Sequence, residues 1–213
     1  LALTAVRPNE VHGATWTEFE DLNGKAPLWR IPAARMKGDL DRKNEHGGDH
    51  LVPLSPQSVA ILRALWPLTG NGPLLFPSNR HTHRPMSNNA MGYLLNRAGY
   101  HGHHVPHGFR AAFSTIMNEW VKEHGRSDDR EVIDLMLAHV PSNKVEGAYN
   151  RAKYLPRRRE LAAIWAEMLV DGLPSPTLLV GLPSKGRGGT PRRLPPPVSA
   201  SFRFPDFQAV SHG

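Results

Sequence analysis

The order of apolar and polar positions divides the chain into a mainly helical body with one short β-rich stretch near its start. Pro8-Asn9-Glu10 has the signature of a helix start, with proline in the first turn and an acidic residue facing the positive end of the helix dipole. Three β-like runs come next, over residues 15–20, 28–32 and 50–54. Asp21-Leu22-Asn23-Gly24 is a turn signal between the first two, and the polar stretch 38–49 reads as a mobile loop before the third. From there the helical period takes over. Ser55-Pro56 opens a helix through Val59, Leu62 and Leu65, and Ser87 opens another through Met91, Leu94 and Leu95. Further helices are expected over 108–121, 128–137 and 157–169. The expected fold class is mainly α with a small three-stranded antiparallel β-sheet.

Composition separates this body from the end of the chain. Residues 171–213 hold 8 Pro and 6 Gly, and Lys185, Arg187, Arg192, Arg193 and Arg203 stand against only Asp171 and Asp206. Such a stretch cannot easily bury a core and is expected to be a flexible basic tail, leaving 1–170 as the folded domain. The whole chain of 213 residues carries 26 Lys and Arg against 19 Asp and Glu, a net charge of +7. A basic balance points to an anionic partner, nucleic acid foremost, although it serves solubility as well. Cysteine is absent, which excludes a disulfide framework, a thiolate zinc site and a cysteine nucleophile. No run approaches the roughly 20 apolar residues that cross a bilayer, so no membrane partner is expected. The start lacks the pattern of a signal peptide and an initiator Met, and the chain is expected to begin inside a longer protein.

Several residues can do chemistry. His107 and Arg110 open the helix expected at 108 and, three apart, share one of its faces. Phe109, Phe113 and Ile116 are expected to point inward while that basic pair looks out. A guanidinium offers a planar fork for two phosphate oxygens, and an imidazole moves a proton near neutrality. Taken alone, the pair is as readily an ordinary surface His and Arg. His139 closes an apolar helix that holds Leu135 and Leu137, and Tyr149 stands ten residues later. A tyrosine is usually a packing residue with a polar tip, but its hydroxyl attacks phosphorus when bases and cations lower its pKa from about 10. Arg7 precedes the helix start, and Glu10 either stabilises the first turn or braces Arg7. Lys37 stands at the head of the polar loop.

Read together, these residues resemble the catalytic half of a tyrosine recombinase, most closely the phage- and island-type integrases. The resemblance covers about residues 1–169. It is carried by Leu3-Thr4-Ala5-Val6-Arg7-Pro8-Asn9-Glu10, Arg35-Met36-Lys37 and His50-Leu51-Val52-Pro53-Leu54-Ser55, then by His107-Gly108-Phe109-Arg110, Leu137-Ala138-His139 and Ala148-Tyr149-Asn150-Arg151, in that family's order and rough spacing. It implies a mainly helical catalytic fold around a small sheet, with no metal or nucleotide cofactor. Arg7 and Arg110 then correspond to the two phosphate-binding arginines, His107 to the general base, Lys37 to the acid on the leaving oxygen and Tyr149 to the nucleophile. His139 occupies a position filled by His or Trp, and Glu10 a supporting acidic position. The loop 38–49 is longer than the family's usual tight turn and offers Lys43 as a rival to Lys37. The amino-terminal DNA-binding domains of the family are missing. The implied partners are double-stranded DNA attachment sites and, on DNA, three further copies in a homo-tetramer, with a monomer in its absence. The implied location is cytoplasmic, on the bacterial nucleoid.

Two other readings compete. A metal-dependent phosphodiesterase would use His101, His103, His104 and His107, but that cluster has no carboxylate before Glu119. A catalytically silent DNA-binding remnant would keep the basic surface without the chemistry.

Overall fold

The computed structural model describes residues 1–36, 48–139 and 154–179. Helix α1 (Pro8–His12) is preset by its proline and leads to a 3-10 turn over Trp16–Glu18 and then to strand β1 (Phe19–Glu20). The β-like run expected over 15–20 is therefore paired only at its ends, by a single antiparallel bridge from Thr15 to Leu74 and by β1. The Glu18 N–H donates to the Thr15 carbonyl at 3.2 Å, and the Thr15 hydroxyl donates to the Glu18 carboxylate at 3.2 Å. These local bonds close a turn where an extended backbone would need a neighbouring strand. Strands β2 (Leu28–Ile31) and β3 (His50–Pro53) complete an antiparallel sheet in the order β1-β2-β3, with Phe19 opposite Trp29 and Ile31 opposite His50.

Helix α2 (Pro56–Thr69) starts where its sequence signal stands. Ser55 caps it by accepting the Ser58 N–H at 3.2 Å. The helix expected from Ser87 begins later, as the short α3 (Ala90–Leu95), and passes into a wider turn over Asn96–Tyr100 that Gly99 ends at a φ of 93°. Helices α4 (Gly108–Glu123), α5 (Asp129–Met136) and α6 (Leu155–Val170) come after it, and a 3-10 turn over Pro176–Leu179 lies against α2. No helix among the described residues is long and apolar enough to cross a membrane.

The apolar side chains form two clusters. One gathers Trp16, Phe19, Trp29 and Val52 of the sheet region with Val59 and Leu62 of α2. The other gathers Phe113 and Met117 of α4, Ile133 of α5, and Leu161 and Trp165 of α6, with the Phe113 and Trp165 rings edge to face at 5.3 Å. At two places the chain passes between the clusters from one residue to the next. Ala5 belongs to the helical cluster and Val6 to the sheet cluster, while Leu137 belongs to the helical cluster and Ala138 to the sheet cluster. Ala5 and Ala138 take left-handed backbone steps at these crossings, with φ of 49° and 51°. The candidate site lies on this seam.

Candidate functional site

Arg7 is the residue that caps α1, and Glu10 braces it twice. One Glu10 oxygen accepts the Arg7 main-chain N–H at 2.6 Å and the other accepts its guanidinium at 3.1 Å. Glu10 is itself fully buried, so the two alternatives left by the sequence are both realised in a single carboxylate. The guanidinium of Arg35 ties this turn to the sheet, donating to the Glu10 carbonyl at 3.1 Å and to the Glu18 carboxylate at 2.5 Å. Glu18 also accepts the Trp29 indole N–H at 2.9 Å. A Cβ at Gly13 would stand 2.6 Å from the Arg35 guanidinium and would have to displace it. Arg35 thus fixes the chain just before Lys37. Lys37 and its rival Lys43 lie outside the described residues.

Arg110, on the first turn of α4, is buried and does not look out to solvent as expected. Its guanidinium bridges the seam, with Nη1 donating to the Ala5 carbonyl at 2.6 Å and Nη2 to the Leu137 carbonyl at 2.7 Å. Helix α5 ends at Met136, so Leu137 presents a carbonyl that no further turn can satisfy, and the arginine supplies the missing donor. The same contact holds the segment before Arg7 against the segment before His139. Two of the five guanidinium N–H donors are used in this way. Burial first, and the Arg7 charge second, push the Arg110 pKa down to about 10, while Glu10 pulls it the other way. His107, at the cap of α4, is exposed as expected. Phe113 is fully buried, whereas Ile116 is exposed, because the apolar face of α4 runs through Phe113, Met117 and Val121. His104 packs its ring edge against Phe109 at 4.4 Å. No group of three His, Asp or Glu side chains among the described residues is arranged to hold a metal ion.

His139 comes directly after the left-handed step at Ala138. The Ala138 N–H donates to the Leu135 carbonyl and the His139 N–H to the Asp134 carbonyl, each at 3.0 Å, which is the bond pattern of a Schellman C-cap. The turn folds His139 back over the end of α5, where its Nδ1 lies 3.0 Å from the Asp134 carboxylate. Tyr149 lies outside the described residues. The helices on either side of its segment are joined by Arg157 at the start of α6, which grips both carboxylate oxygens of Asp129 at the start of α5, at 2.9 and 2.5 Å.

Sequence reasoning gave no role to His50. Its ring is buried where β3 meets the end of α5, in a main-chain hydrogen bond with Met136, and its Nε2 has no hydrogen-bond partner among the described residues. Burial drives its pKa well below 6.5, and the charges of Arg158, Arg110 and Arg7 add to the effect in that order, against the Met136 bond. Arg158 is likewise buried, donates to the Leu51 carbonyl of β3, and is held down to about 10 by its burial. The available signal was the inward register of β3, in which His50 and Val52 face the core on one side of the strand. The site is therefore strongly electropositive, with three arginines around a neutral histidine and Glu10 as the buried counter-charge.

Known proteins similar to the chain are integrases. Over 167 residues it is 42% identical to the prophage integrase IntA of Escherichia coli K12, covering 78% of this chain and 36% of that protein. It is 34% identical over 172 residues to the integrase of Shigella phage Sf6, covering 79% of this chain and 40% of that protein. It is 33% identical over 174 residues to the integrase of Enterobacteria phage P4, covering 78% and 38%. The chain thus spans between 36 and 40% of the length of these curated relatives. No family profile and no solved structure matches it. The chain belongs to the phage integrase family.

Proposed function

We propose that this chain is the catalytic part of a site-specific DNA recombinase that cleaves and rejoins strands through a 3′-phosphotyrosine intermediate. The observation that carries the reading is the bridge made by the buried Arg110, which brings Arg7 and the His139 turn to one electropositive seam although 105 residues separate Arg110 from Ala5. A phosphodiester under attack gains negative charge on its non-bridging oxygens. Two guanidiniums fixed in advance stabilise that charge without reorganising, and removing one such donor typically costs on the order of 10²- to 10³-fold in rate.

In this reading the Tyr149 oxygen attacks phosphorus and the bond to the 5′ oxygen breaks. His107 takes the tyrosine proton and Lys37 gives one to the departing 5′ oxygen. His139 contacts the phosphate. The phosphotyrosine keeps the energy of the broken bond, so religation to a partner strand needs no nucleotide. The working assembly is a homo-tetramer on duplex attachment sites, with the basic residues of 180–213 as an added contact to DNA.

A pool of nicked duplexes, incubated with the protein in EDTA and resolved under denaturing conditions, separates the readings. The recombinase forms a protein–DNA adduct without metal. A silent remnant shifts DNA but forms no adduct, and a phosphodiesterase cuts only when divalent metal is restored. Either of the last two outcomes would overturn the proposal.

A further inference from the structure

We infer that Asp134 is a positioning residue for His139, fixing Nδ1 as the protonated nitrogen and leaving Nε2 as the one that meets the phosphate. The inference deepens the function proposed above and rests on it. Three observations carry it. The Asp134 carboxylate lies 3.0 Å from Nδ1, and a carboxylate only accepts hydrogen bonds, so Nδ1 is the donor and carries a proton. The Asp134 carbonyl also accepts the His139 N–H at 3.0 Å, so one residue holds both the backbone and the ring of the histidine. Both side chains are about half exposed, at 53% for His139 and 51% for Asp134, which leaves the ring open to a ligand on its other side.

Asp134 is otherwise badly placed. It sits in the last turn of α5, which contains no basic residue, and a negative charge there opposes the helix dipole. It also places an acid beside a site that must receive a polyanion. Helix stability and DNA affinity would each favour a neutral side chain at this position, so the acid is explained by what it does to the imidazole. With Nδ1 committed, Nε2 is the nitrogen left to contact the phosphate. Asparagine at this position would be isosteric but ambiguous, because its amide can turn to donate to Nδ1 and select the other tautomer.

The opposed signs of these effects make the test sharp. Asp134→Asn is expected to slow single-turnover adduct formation at saturating DNA on the order of 10- to 100-fold, as for other histidines that lose their orienting partner. DNA affinity should be unchanged or tighter, and the unfolding midpoint unchanged or higher. Asp134→Glu should recover part of the rate. In a His139→Phe background the Asp134→Asn change should have no further effect, since the group it orients is gone. A merely structural or electrostatic role gives the opposite pattern, with an undiminished rate at saturation or an equal loss in both backgrounds, and either result overturns the inference. Tyr149→Phe, run alongside, keeps the two levels apart. If it still forms the adduct, the recombinase reading itself fails. If it is inactive while Asp134→Asn matches the parent, only the positioning role fails.

Discussion

Ala5 and Ala138 do what glycine does without cost. Their φ values of 49° and 51° bring Cβ close to the neighbouring carbonyl, a strain of roughly 1–2 kcal/mol per residue. The two strained residues lie at the carbonyls that Arg110 grips, Ala5 itself and Leu137 just before Ala138. Ala138→Gly is expected to stabilise the fold by about 0.5–1 kcal/mol, the released strain being partly offset by the greater freedom of glycine in the unfolded chain. The urea midpoint reads this directly. His50 gives a second test on a single side chain. Its folded pKa lies below the 6.5 of the unfolded chain, so at intermediate pH the unfolded state binds the extra proton. The stability contributed by neutral His50 is therefore complete above pH 6.5 and lost as pH falls below it. From pH 6.5 to 5.5 the unfolding free energy of the parent should drop by up to about 1 kcal/mol more than that of His50→Asn. Parallel curves for the two proteins would mean that His50 is not held neutral.

Among the elements, the first turn of α4 does two jobs through one side chain. Arg110→Lys keeps the charge but loses the fork that spans the Ala5 and Leu137 carbonyls. It should cost about 1.5–3 kcal/mol of stability, the worth of a charge-assisted hydrogen bond, as well as cleavage. Arg7→Lys keeps a cation beside the buried Glu10 and loses only the planar fork, so it should lower cleavage with a smaller loss of stability, and thermal melts beside cleavage rates separate the two. Which elements were legible depends on where their signals reside. Ser55-Pro56 announces α2 because a cap and a first-turn proline are local, and the Ser55–Ser58 bond is there. The run 15–20 misled because Thr15 makes only a single bridge, to Leu74, before the Thr15–Glu18 bonds close a turn, and pairing with β2 begins at Phe19. Helical spacing placed Arg110 with His107 on an outward face, but Arg110 turns inward while His107 stays exposed. Spacing fixes a face and not its surroundings, and the carbonyls that draw Arg110 inward lie 105 and 27 residues away. Asp134 and His50 were missed for the same reason, since their roles depend on a turn geometry and a buried contact that no short motif announces.

For the molecule as a whole, a net charge of +7 predicts duplex binding whose affinity falls steeply with salt, with a log-log slope of about −0.9 per phosphate neutralised. Residues 180–213 hold Lys185, Arg187, Arg192, Arg193 and Arg203 against Asp206. Removing them should flatten the slope if they act as an electrostatic arm. An unchanged slope would locate all of the phosphate contacts in the body.

The proposed chemistry requires that the seam joining Arg7, Arg110 and the His139 turn serve a tyrosine nucleophile, and Tyr149 and Tyr154 stand close enough in the chain to be confused. Small residues, Gly147 and Ala148, precede Tyr149 in the sequence. Tyr154 is partly buried against the helical cluster at the start of α6. The decisive measurement is peptide mapping of the DNA adduct formed in EDTA on a nicked duplex. The nucleotide should be carried by Tyr149; Tyr149→Phe should abolish the adduct while leaving DNA binding intact, and Tyr154→Phe should retain it. An adduct on Tyr154, or an adduct that forms only with divalent metal, would contradict the assignment.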